Sequence, residues 1–189
     1  MKVTGIILAG GMGRRMGGVD KGLLPFHGKP LVAHVLERLR PQVAEILLNA
    51  NREIETYQAF GYPVISDAIG GFSGPLAGLH CGMTAAQTPL VVTVPCDSPF
   101  LPNDLVQRLL LGLEQQQADL AVAKTGDQPH PVFCLCRTTL LPNLTRFLEG
   151  GGRKIDAWYA GLNTVEVPFD DEADAFANFN TPAELEAAA

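Results

Sequence analysis

Basic residues are in the minority. The 14 lysines and arginines face 20 aspartates and glutamates, a formal net charge of −6. No general positive field exists to hold a nucleic-acid polymer or an anionic membrane, so any cationic binding must be local. Cysteine is scarce: Cys81, Cys96, Cys134 and Cys136 form no CxxC pair and no zinc spacing. Two of them alternate in "VFCLCR" as residues of a half-buried strand do, and a reduced, cytoplasmic setting is expected. His27, His34, His80 and His130 contain no HxxxH pair, which argues against a zinc site. Long apolar runs are missing too. The first, "VTGIILA", is too short to span a bilayer and too short for a secretory leader with its cleavage site. Only 18% of residues are charged while 47% are apolar, the balance of a globular chain rather than a disordered one. At 189 residues one domain with a sizeable core is expected.

What the chain does have is an alternation of strand and helix patterns. Strands are predicted at "KVTGIILA", "AEILLNA", "YPVIS", "PLVVTVP", "ADLAVAK" and "HPVFCLCR", while "LNTVEVPF" near the end carries no assignment. Helices are predicted at "PLVAHVLERLR", "REIETYQAF", "PLAGLHCGMTAAQ", "PNDLVQRLLLGLEQQQ", around a glycine break in "TTLLPNLTRFLEGGGRKIDAWYAG", and at the closing "TPAELEAAA". This order predicts an α/β fold: a Rossmann-like open sheet, mostly parallel, with helices on both faces. The short "AKTGDQPH" predicts a hairpin and hence a mixed edge near residues 131–136.

Ligands of such sheets bind beyond the carboxyl ends of the strands. The unusual polar residues gather there: a glycine loop after the first strand, Asn49 and Asn51 after the second, Asp67 after the third, Asp97 after the fourth. The loop holds five glycines, the adjacent Arg14 and Arg15, then Asp20 and Lys21. It is neither GxGxxG, because Met16 occupies the third glycine position, nor GxxxxGK[ST], because Gly22 follows Lys21. The chemistry behind both motifs still applies: glycines let backbone N–H groups close on phosphate oxygens, and the cations add charged donors. Asp97, between Pro95 and Pro99, reads equally as an oxygen ligand for Mg²⁺ or as a residue holding the turn before the next helix. Asn49 and Asp67, on their own, read as strand-end residues satisfying local backbone. "FDDEAD" at 169–174 lacks Ca²⁺-loop spacing and reads as a solvated acidic loop.

"LAGGMGRRMGGVDKGLL" resembles the LAGGxxxRMGxxK signature of nucleotidyltransferases acting on nucleoside triphosphates, and most closely that of the molybdenum cofactor guanylyltransferases. The resemblance continues through "LNANR" at 48–52, "SD" at 66–67, "GPLAGL" at 74–79, "PCDSPFLP" at 95–102, "HPVF" at 130–133 and "FANFNTPAEL" at 176–185, with residues 138–175 matched only weakly. It implies a single nucleotidyltransferase domain over 1–189 of the nucleotide-diphospho-sugar transferase type. Residues up to about 105 would bind nucleotide, and those from about 106 the acceptor. It implies transfer of GMP from GTP to molybdopterin with release of pyrophosphate. Leu8, Ala9, Gly10, Gly11, Lys21, Asn49, Asp67 and Asp97 would then meet GTP, with Lys21, Arg15 and Asp97 catalytic and Asp97 on Mg²⁺. Asn178, Asn180 and Arg153 would face molybdopterin. The attacking group would be molybdopterin's own phosphate, mostly dianionic at neutral pH, so no side-chain base is required. Other molybdenum-cofactor biosynthesis proteins and acceptor molybdoenzymes are the implied transient partners. The rivals are a CTP-dependent cytidylyltransferase, whose loop tends to read LAAG where this chain has Gly11, a sugar-nucleotide synthase, a non-catalytic nucleotide-binding regulator, and a plain interaction module.

Overall fold

The computed structural model describes residues 1–10, 20–67, 74–177, 179 and 184. The chain begins with β1 (Val3–Leu8), and a small hairpin of β2 (Pro25–Phe26) and β3 (Lys29–Pro30) leads into α1 (Leu31–Leu39). Next come β4 (Glu45–Asn49), α2 (Ile54–Gln58), β5 (Val64–Ile65), α3 (Pro75–Ala85), β6 (Leu90–Pro95) and α4 (Leu105–Gln115). The second half contains β7 (Leu120–Thr125), β8 (Gln128–Arg137), α5 (Leu141–Glu149), α6 (Ile155–Tyr159) and β9 (Thr164–Pro168). All six segments expected to be strands join one sheet, with β9 from "LNTVEVPF" as the seventh, in the order β5-β4-β1-β6-β8-β7-β9. The closing helix expected at 181–189 lies almost entirely outside the described residues.

Pairing is parallel from β5 to β6 and again between β7 and β9; β8 runs antiparallel to both β6 and β7. The expected hairpin therefore forms, but its antiparallel strand lies inside the sheet. The reason is β9, which returns to pair with β7 and moves the margin outward.

Period-two alternation divides the core between two faces. Ile7, Val92, Ala121 and Leu135 pack beneath α1 and α4, on Val35, Leu39, Leu105 and Leu109. Ile6, Val91, Val122, Cys134 and Cys136 face the other way, beneath α3, α5 and α6 with Leu79, Met83, Leu144 and Trp158. Both cysteines of "VFCLCR" are wholly buried and free, because helices cover both faces here. Two short 3-10 pieces joined at a kink at Glu172 span Asp170–Phe176; Asp170, Asp171 and Asp174 are exposed, as expected for 169–174, but the segment is ordered as helix rather than loop. Arg108 holds it: the guanidinium stands 3.9 Å over the Phe169 ring and donates to both oxygens of Asp171 at 2.9 and 3.0 Å. Phe169 itself is fully buried. Alternation of acidic residues does not reveal a cation arriving from α4.

Candidate active site

Because β1, β4, β5 and β6 are mutually parallel, their carboxyl ends open on one rim. Backbone bonds carry the ladder beyond the strands: Ala9 N–H donates to the Asn49 carbonyl at 2.8 Å, and Cys96 N–H donates to that of Leu8 at 3.2 Å. Leu8, Ala9 and Gly10 are thus fixed between the segments bearing Asn49 and Asp97. Gly10 lies directly against the Asn49 and Asn51 amides, where a Cβ would come within 2.8 Å of Asn51 Nδ2.

One half of the rim is an amide–carboxylate cluster. Asn49, only 2% exposed, donates Nδ2–H to Asp67 Oδ1 at 2.9 Å. Asn51 donates to Asp67 Oδ2 at 2.7 Å and accepts from the Asp67 N–H at 2.9 Å. Asn49 and Asp67 therefore serve each other across two strands, beyond the local backbone reading. Asn51 joins them, a residue noticed in the sequence but given no role there.

The other half is a charge pair. Lys21 Nζ lies 3.8 Å from Asp97 Oδ2. Asp97 is 8% exposed, between the buried Cys96 and Ser98. Burial raises its carboxyl above the ordinary range, partly opposed by the Lys21 charge and by its own backbone N–H. Asp97 is not the cap of α4, which begins behind Asp104; it lies in the turn that leaves β6. Lys21 opens a short 3-10 turn, Lys21–Leu23, capped by Asp20, whose Oδ1 accepts from Gly22 N–H at 3.2 Å. Tyr57 from α2 donates its hydroxyl to the same oxygen at 2.6 Å. Sequence reading gave neither Asp20 nor Tyr57 a role. The one available signal was Asp20's place immediately ahead of Lys21.

Phe179 reaches this half of the rim. Its N–H lies 3.5 Å from the Asp97 carbonyl, and its ring stacks on Phe26 with 5.6 Å between centroids. Arg153 donates to the carbonyls of Leu148 at 2.9 Å and Gly152 at 2.6 Å, at the end of α5. Gly11, Arg14, Arg15, Asn178 and Asn180 lie outside the described residues. Among the described residues no three His, Cys, Asp or Glu side chains gather to cage a metal. Burial pushes the Cys96 thiol beside Asp97 well above its usual range. The Asp97 carboxylate is a hard oxygen donor of the kind Mg²⁺ takes alongside phosphate and water.

Residues 5–164 match the model of the MobA-like NTP transferase domain. A molybdenum cofactor guanylyltransferase of Cupriavidus metallidurans is 52% identical over 188 residues, covering 97% of this chain and 92% of its own. One from Bordetella petrii is 53% identical, covering 97% and 95%. The crystal structure of molybdopterin-guanine dinucleotide biosynthesis protein A from Archaeoglobus fulgidus superposes with a TM-score of 0.80 at 28% identity, covering 100% of this chain and 96% of that one. The resemblance drawn from the glycine loop holds along nearly the whole length, and the chain belongs to the MobA-like NTP transferase family, a nucleotidyltransferase.

Proposed function

We propose that the protein transfers GMP from GTP to molybdopterin, forming the guanine dinucleotide cofactor and pyrophosphate. The observation that carries this reading is the meeting of two unlike devices on one rim: the Asn49–Asp67–Asn51 cluster and the Lys21–Asp97 pair. The names of the relatives from Cupriavidus metallidurans and Bordetella petrii support the choice of nucleotide and product.

The cluster suits guanine. A carboxylate offers about four acceptor positions, and the asparagine amides use one on each Asp67 oxygen. The remaining positions match the adjacent ring N–H and exocyclic amine of guanine, whereas cytosine presents only its exocyclic amine as donor. Leu8, Ala9, Gly10 and Gly11 supply backbone groups beside the base. Asp97 is the residue that would hold Mg²⁺, which supplies charge neutralisation across the phosphates when bound. Lys21, with Arg15, offsets the negative charge that builds up as one phosphate approaches another. The acceptor phosphate loses its second proton near pH 6, so the site has no need of a histidine base. Residues up to about 105 form the nucleotide half; those from about 106, including Asn178, Asn180 and Arg153, form the acceptor half. We place the reaction in the cytoplasm, with other cofactor-biosynthesis proteins and recipient molybdoenzymes as transient partners.

Titration with GTP, CTP, ATP and UTP in the presence of Mg²⁺ tests the nucleotide, and pyrophosphate release on adding molybdopterin tests the reaction. Preference for CTP, or GTP binding with no molybdopterin-dependent pyrophosphate, would overturn the proposal.

A further inference from the structure

Gly22 is packed in a way that its own turn does not require. A Cβ there would stand 2.7 Å from the Tyr57 hydroxyl oxygen, 3.0 Å from Cys96 Cβ and 3.1 Å from Cys96 Sγ. The turn that presents Lys21 is therefore pressed between α2 and the residue preceding Asp97. Tyr57 has no exposed surface, and its hydroxyl is directed at a half-buried carboxylate, Asp20 Oδ1, at 2.6 Å. That same oxygen takes the Gly22 N–H. Burial, then the neighbouring Cys96 and Asp20, push the Tyr57 hydroxyl far above its usual range, so it remains a donor at any working pH.

We infer that Tyr57 and Asp20 are positioning residues for Lys21: one buried hydroxyl, through one carboxylate oxygen, fixes the Lys21–Leu23 turn so that the ammonium stands at Asp97. This rests on the role proposed above for Lys21. A lysine carries about 2 kcal/mol of rotamer entropy and a loop adds backbone freedom. A turn held on three sides removes part of that loss before the triphosphate arrives, which is how a supporting shell raises the effectiveness of a catalytic group. The link also joins the two halves of the rim, because α2 follows directly on the strand whose end carries Asn49.

The test is a double-mutant cycle with Lys21, using the nucleotide that the wild type binds with Mg²⁺. Tyr57→Phe removes only the hydroxyl and is expected to lower kcat about tenfold, the scale of one hydrogen bond to a charged group. In a Lys21→Ala background the same change is expected to cost less than about twofold, because the group it positions is already gone. Asp20→Asn keeps an oxygen for both donors and stays within about threefold of wild type, while Asp20→Ala falls with Tyr57→Phe. Fully additive losses, an unaffected Tyr57→Phe, or an Asp20→Asn as impaired as Asp20→Ala would each overturn the inference. Thermal melts check folding, and if Tyr57→Phe fails to fold, the two Asp20 variants, each crossed with Lys21→Ala, decide. A wild type that binds nucleotide but makes no product with molybdopterin refutes the acceptor assignment instead; the cycle is then read on nucleotide dissociation constants.

Discussion

Gly78 sits mid-helix in α3, where alanine ordinarily gains about 1 kcal/mol over glycine. Here the added Cβ would be 2.6 Å from Leu8 Cδ2 and 3.0 Å from Asn49 Cγ, pressing on the Asn49 amide oxygen. Leu8 is only partly buried and can shift, but Asn49 cannot: it is 2% exposed and bonded to Asp67. Overpacking of this kind costs about 1–3 kcal/mol, and displacing the Asn49–Asp67 bond costs about 1 kcal/mol more. Set against the helix gain, Gly78→Ala is expected to destabilise by about 1–3 kcal/mol. At about 2–4 °C per kcal/mol for a chain of this size, the melting midpoint falls by several degrees. Because the displaced group belongs to the cluster proposed to read the base, nucleotide affinity should fall as well, about tenfold for one misplaced hydrogen bond to a charged group. Gly82→Ala, one turn along the same helix, is the control. Its Cβ would press on Ile6, with Cγ1 at 2.7 Å, inside the core rather than on the rim. Differential scanning calorimetry and nucleotide titration of both variants separate the effects: both lose stability, only Gly78→Ala loses affinity. A Gly78→Ala protein as stable as wild type, binding nucleotide normally, would refute the reasoning that α3 packs too closely on Asn49 to admit a Cβ.

Three further outcomes are expected. Lys21→Ala should cut kcat by about 100-fold or more, the scale of one charge-stabilising donor, with little change in the melting midpoint; a folded variant with full turnover refutes its role. Asp97→Asn should abolish turnover yet raise the melting midpoint at neutral pH. The folded-state pKa of Asp97 lies above its unfolded value, so its stabilising contribution is full below the unfolded pKa and is lost as pH rises through the folded pKa; the gain from the amide should shrink in acid. A midpoint lower than wild type at pH 7 would contradict this. Arg108→Lys keeps the charge but loses the two-oxygen grip on Asp171 and the stacking on Phe169. It should cost about 1 kcal/mol by urea denaturation without altering nucleotide affinity, and a neutral result would show the 3-10 turn to be held by Phe169 burial alone.

Strands were legible because their cause is local. The alternation of Ile6 with Ile7, or Cys134 with Leu135, needs only a covered sheet to become two packed faces. The rim was legible for a topological reason: parallel strands deliver their ends to one side, so Asn49, Asp67 and Asp97 had to come near one another whatever their rotamers. Which of them touch was not legible. Asp67 and Asn49 are 18 residues apart, and their bond depends on the register in which β5 pairs with β4. The interior place of β8 was hidden likewise, since it depends on where β9 lands rather than on any residue in "HPVFCLCR". Tyr57 shows the limit best. A lone tyrosine at an apolar position of a five-residue helix is indistinguishable, in sequence, from any core aromatic. Only when α2 packs against the turn at Lys21 does its hydroxyl find Asp20, 37 residues away. Side chains that carry charge to a site can thus be read from sequence, while those that hold the carriers in place depend on tertiary contact. On the inference drawn for Tyr57 and Asp20, the second group supplies the geometry on which the first depends.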